Sequence, residues 1–211
     1  MGEKLTSENT LPLDFTSANL DLEKLDLGDT AGFERYVLGQ LEQRGKTFGI
    51  GGYLEKRAIY RRSEVFGNSA SDFRNIHLGV DIWTRAGAPV FVPLSGKVHS
   101  FQDNAGFGNY GPTIIFEHQI EGETLFSLYG HLLRSDLEKL EVGKAFNAGD
   151  LLCHIGPFPE NGDWPAHLHF QLIRDLGDFR GDYPGVAAEK DLEFYRKNSP
   201  DPNGMIGIKD S

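Results

Sequence analysis

The sequence predicts a mainly β fold: an antiparallel sandwich or barrel-like sheet that carries a helical N-terminal extension. Three observations predict it. From Ile76 onward, short runs rich in β-branched and aromatic residues recur between Gly, Pro, Asn and Asp, as strands divided by turns do. Gly is abundant at 26 residues and Pro adds 10, which suits many turns. The clearest helical period lies earlier, in "DTAGFERYVLGQLEQRG". A chain of 211 residues with 39% hydrophobic content has enough material for one sizeable core and an extension.

The elements follow in order. The leading "TLPLDFTSANLDLEKLDLGD" is polar with scattered Leu and reads as an extended arm. Phe33, Val37, Leu38 and Leu41 then recur at helical spacing, with Asp29 or Thr30 as N-cap and Gly45 as the stop. "TFGIGGYLEKRAIY" reads as turn and strand, and "RRSEVFGNSASDFRN" as loop. Strands are expected in "HLGVDIW", "PVFVPLSGKVHSFQ", "PTIIFEH", "TLFSLYGHL", "DLLCHIG" and "HLHFQLI", with a helical turn at "SDLEKL". A short helix and an irregular end are expected in the tail. The chain thus divides into an N-terminal arm and helix packing on the core (1–70), a β-rich domain (71–180) and a C-terminal extension (181–211).

Composition excludes several functions. A formal charge of −10 and a pI near 5.1 argue against an electrostatic grip on nucleic acid or an anionic membrane. The single cysteine, Cys153, permits no internal disulfide and reads as a small buried thiol. No run of about 18 apolar residues predicts a membrane span. The polar start "MGEKLTSENT" lacks an apolar signal core, so a cytoplasmic location is expected, or an exported one if a leader has been removed. Two phosphate-loop look-alikes fail on spacing. Five residues separate Gly39 from Gly45, and Leu54 stands where a dinucleotide fingerprint needs its third Gly.

Chemistry concentrates in the histidines. His77 and Asp81 form H-x-x-x-D, His131 lies in "LYGHL", and His167 and His169 form H-x-H in "PAHLHF". On an extended strand, side chains two residues apart share a face, so His167 and His169 can reach one site. An N/O set of two His and one Asp suits zinc, while manganese, iron or nickel would accept the same donors. His99, His118 and His154 read as structural or exposed.

In their order, "HLGVD", "LYGHL" and "HLHF" resemble the three signatures of the lysostaphin-type zinc metallopeptidases, which include many peptidoglycan endopeptidases. "AGAPVFVPLSGKV" resembles that family's strand-turn-strand segment, and the likeness spans about residues 74–175. It implies an antiparallel sheet with a groove, and marks the β-rich domain as catalytic. It further implies one zinc ion per chain on His77, Asp81 and His169, with His131 and His167 as catalytic histidines. The implied reaction is attack of a metal-activated water on an amide of a peptide or muropeptide-like substrate. Trp164, Asn109 and Tyr129 are expected along the substrate groove.

Two features depart from the family pattern. "PFPENGDWPAHLHF" makes a bulkier rim than the family's usual small-residue approach, and Gln171 stands where an acidic residue is common. Through "GPTIIFEH", "PENGDWPAHLHFQ" and "SPDPN", the full chain is also similar to metallopeptidase-like domains fused to aminotransferase and phosphotransferase domains. That likeness implies an aminotransferase-type functional partner. The alternative functions are a non-catalytic metal-binding or regulatory domain of the same fold, and a phosphoryl carrier using His131 and His167.

Overall fold

The computed structural model describes residues 1–67, 69 and 72–207. It opens with a β–α–β unit. Strand β1 (Thr10–Leu13) lies parallel to β2 (Phe48–Gly51), and helix α1 (Thr30–Gln43) connects them. Asp29 caps α1, its carboxylate accepting from the Gly32 amide at 3.0 Å. Gly45, at φ +61°, ends the helical course beyond Arg44. Phe33, Val37 and Leu41, four apart, form the buried stripe of α1. The segment expected to be an extended arm therefore contributes a sheet strand.

The β-rich part follows as β3 (Ile76–His77), β4 (Val80–Trp83), β5 (Pro89–Phe91), β6 (Gly96–Asn104), β7 (Gly111–Ile120) and β8 (Glu123–Gly130). After α2 (Arg134–Leu137) come β9 (Ala145–Phe146), β10 (Leu151–His154), β11 (His167–Ile173) and β12 (Val186–Ala187). The chain closes with α3 (Leu192–Asn198) and α4 (Asn203–Ile206). Eight strands form one sheet in the order β1-β2-β4-β11-β8-β7-β6-β9. Every pairing in it is antiparallel except β1 with β2, so the sheet is mixed, and it stays open instead of closing into a barrel. Two small sheets, β10-β5 and β12-β3, complete the fold.

Strand β11 is the organising element, buried along its whole length. Leu168, Phe170 and Leu172 point to one face and join the largest apolar cluster with Ile82, Ile114 and Tyr129. His167, His169 and Gln171 point to the other face and are buried there, His167 against Trp83 and Trp164, His169 beside Tyr110, and Gln171 against Pro184 and Ser199. Its register sets Asp81 opposite His169 and Trp83 opposite His167 on β4, with Gly130 opposite His169 on β8. Among the described residues no helix is long and apolar enough to cross a membrane.

Candidate metal centre

The site is built where β3, β4 and β11 meet. His77, Asp81 and His169 bring one ligand-type atom each within 4.8 Å of one another. Asp81 Oδ1 lies 3.0 Å from His169 Nδ1 and 3.2 Å from His77 Nε2, and the two ring nitrogens are 2.9 Å apart. Gly79, between His77 and Asp81, makes this possible. A Cβ there would stand 2.8 Å from His169 Cε1 and 2.6 Å from the Phe170 carbonyl oxygen.

The outer hydrogen bonds settle the tautomers. His77 Nδ1–H donates to the Gly52 carbonyl at 3.0 Å, which leaves Nε2 as a bare acceptor. Gln171 Nε2 donates to the Pro184 carbonyl at 3.1 Å and to Ser199 Oγ at 3.0 Å. A carbonyl accepts only, so Gln171 turns its oxygen to His169 Nε2, 3.0 Å away, and that nitrogen must carry the proton. His169 Nδ1 is then bare as well. Two ring lone pairs and a carboxylate oxygen converge with no donor between them, an arrangement that repels itself unless a cation lies among them.

Burial keeps the His77 ring neutral. Desolvation lowers this ring to about 3, with the Arg57 charge adding to the effect. Asp81 would be raised by its burial, but His77 and Arg57 hold it well below the usual carboxylate range. Arg57 is the partner that sequence reasoning missed. Its guanidinium is buried, gives Nη1 to Asp81 Oδ2 at 2.5 Å and Nε to Glu55 Oε2 at 2.7 Å. The second carboxylate oxygen of Asp81 is thereby occupied from behind, and Oδ1 alone faces the two rings.

His131 and His167 stand beside this set. His131 directly follows β8 at φ +64°, a left-handed conformation. Its Nδ1–H donates to the Asn161 carbonyl at 2.8 Å, and His167 Nδ1–H donates to the Pro165 carbonyl at 2.7 Å. Both rings keep Nε2 free. They lie 4.2 Å apart between centroids, and His167 stacks on Trp83 at 4.0 Å and 15°. Burial lowers His167 to about 4 and places His131 well below its ordinary value, so both are neutral at neutral pH.

A cavity of about 250 Å³ opens onto these groups, lined also by Tyr110, Asn109, Trp164 and Trp83. The five chemistry-bearing residues named from sequence are thus together, with Trp164 and Asn109 at their wall. Tyr129 is not. It occupies the opposite face of β8 in the core, its ring 5.2 Å from Phe170 and 6.2 Å from Phe116. The alternation of a strand puts Tyr129 on the far face of the sheet. Gln171, expected to change the charge near the site, is the acceptor that orients His169. The other histidines lie elsewhere: His118 meets Ser127 Oγ at 2.7 Å and His154 meets Asp136 at 2.9 Å.

The model of peptidase family M23 matches residues 75–180. No curated protein matches the chain. Among solved structures, lysostaphin in solution is 25% identical with a TM-score of 0.37, covering 58% of this chain and 44% of that one. The catalytic domain of lysostaphin from Staphylococcus simulans is 21% identical with a TM-score of 0.38, covering 58% and 80%. A zinc-containing peptidase from Vibrio cholerae is 22% identical with a TM-score of 0.36, covering 50% and 29%. The chain spans less than half the length of the full lysostaphin and Vibrio cholerae chains.

Proposed function

The chain belongs to peptidase family M23, and from that premise we propose that it is a zinc-dependent amide hydrolase acting on small peptides, muropeptide-derived ones included. The observation that carries the reading is the convergence of three acceptor atoms, on His77, Asp81 and His169, with the ring protons of both histidines committed outward. These residues fit a zinc ion by donor type and count, one per chain. When bound, zinc supplies Lewis acidity for a water and for the scissile carbonyl.

The chain's own residues supply the proton chemistry. His131 and His167 start neutral, with Nδ1–H held by a carbonyl and Nε2 available. Either ring can take the proton of the attacking water at Nε2 and, as imidazolium, donate from the same atom. One such donor steadies the developing oxyanion, and return of the proton releases the amine. Trp83, stacked on His167, fixes that ring in place. Arg57 holds Asp81 so that one oxygen faces the ligand set.

The test combines metal content with cleavage. Protein purified without chelator is expected to carry about one zinc per chain and to hydrolyse members of a peptide library. His131→Ala is expected to slow cleavage by roughly 10²–10⁴-fold, the usual contribution of a positioned acid–base group. A metal-free preparation whose His169→Ala variant keeps full activity would overturn the reading.

A further inference from the structure

We propose that this site takes a short peptide by its free ends, with Arg74 holding the terminal carboxylate and Asp182 the terminal ammonium, and does not accept the internal bonds of a long chain. The inference deepens the hydrolase reading and rests on it.

The first support is how far the site is enclosed. Exposure is 1% for His77, 2% for Asp81, 5% for His131, 3% for His167 and 3% for His169. A polypeptide crossing the site needs a furrow open at both ends. Here Asp81, His131, His167 and His169 line a cavity of about 250 Å³, below the roughly 300–1,000 Å³ usual for ligand pockets.

The second support is where the walls come from. The family match ends at residues 75 and 180. One wall, from Arg57 to Phe66 with Arg74, precedes that range, and the other, from Asp182 to Val186, follows it. Both pack tightly. The hydroxyl of Tyr110, 3.4 Å from His169 Nε2, reaches the second wall so closely that a Cβ on Gly185 would stand 1.7 Å from it. Segments outside the matched range therefore supply two sides of the cavity, beside Asn109, Tyr110 and Trp164 from within it.

The third support is charge. Arg57 and Asp81 line the cavity but are engaged with each other. The other charged side chains on its wall are Arg74 and Asp182. Each carries a single engagement with the backbone: Arg74 donates to the Val65 carbonyl, and Asp182 accepts from the Tyr183 amide. Asp182 lies in the field of Arg74, and among the described residues neither closes into a direct ion pair. Burial raises the Asp182 carboxyl, a cost that an arriving ammonium relieves. Arginine in turn matches a carboxylate with two parallel donors. A short free peptide offers one of each, and a polymer interior offers neither.

The experiment compares trialanine, its N-acetyl form, its C-terminal amide and the doubly capped form on the zinc-loaded full chain. Capping either end is expected to raise KM about tenfold or more, the effect of one lost charge-assisted contact. Arg74→Gln should erase the preference for the free carboxylate and Asp182→Asn that for the free amine, each with zinc content unchanged. Equal cleavage of free and doubly capped trialanine, or of an internal bond of octa-alanine, overturns the proposal without touching the hydrolase reading. Calorimetric titration separates the two if no peptide is cleaved. Tighter binding of trialanine than of its capped form then supports end recognition while the hydrolase reading falls, and equal binding overturns end recognition too.

Discussion

Arg57 shows how much of this site rests on a single side chain outside the ligand set. Buried between Glu55 and Asp81, it cancels charge that no water can solvate. Removing one partner of a buried pair leaves the other uncompensated, at about 3–5 kcal/mol. Arg57→Met should destabilise the metal-free protein by that amount in denaturant unfolding and weaken zinc binding in chelator competition. The histidines give a pH signature with a definite sign. Their folded values, about 4 for His167 and about 3 for His77, lie below the ordinary 6.5. Between those limits the unfolded chain binds the extra protons, so stability is full above pH 6.5 and is lost as pH falls toward 4. The slope is up to about 1.4 kcal/mol per pH unit for each histidine. Unfolding of the metal-free protein followed across that window checks it; a flat profile would refute neutral burial. At this scale the sequence was most legible for side chains with a spacing signal. His77, Asp81, His131, His167 and His169 were all readable, whereas Arg57 sits in no motif and was not.

Among the elements, β11 was the plainest in sequence and the β1–α1–β2 unit the least complete. Alternation in "HLHFQLI" separates a polar face from an apolar one, and the structure keeps that division. It also explains why Tyr129, one residue from Gly130, belongs to the core. Helix α1 was legible from its period and its Asp29 cap, but β1 was hidden in a polar arm. A four-residue edge strand in a parallel pair carries little alternation to detect. The unit matters to the site because Phe33 on α1 packs against Trp83 at 5.9 Å, and Trp83 stacks on His167. Phe33→Ala should cost about 3–5 kcal/mol in stability and lower kcat/KM by loosening that stack. Gly185, just before β12, tests the opposite wall. Its backbone accepts Ala, but the new Cβ would collide with the Tyr110 hydroxyl. Gly185→Ala is expected to cost about 1–3 kcal/mol, as overpacking does, and to reduce cleavage by more than its stability loss explains. A parallel measurement of both decides that.

For the molecule as a whole, the proposed zinc and the fold are linked, since the three candidate donors come from distant parts of the chain and converge only when it is folded. With free zinc at about 1,000 times its dissociation constant, binding adds about 4 kcal/mol to stability. A chelator should then lower the melting temperature by roughly 8–16 °C at this chain length, read by calorimetry; an unchanged melting curve would exclude a bound structural or catalytic ion. Taken alone, the sequence determined the chemistry on offer and the mainly β frame, because ligand types, strand alternation and turn residues are local properties of the chain. Only the tertiary structure decided which nitrogen of each ring is bare, how Asp81 is held and how far the site is closed. The partners that settle those points are carbonyls of Gly52, Asn161 and Pro165, which every residue type carries alike. Arg57, Arg74 and Asp182 likewise acquire their meaning only from what the fold sets beside them.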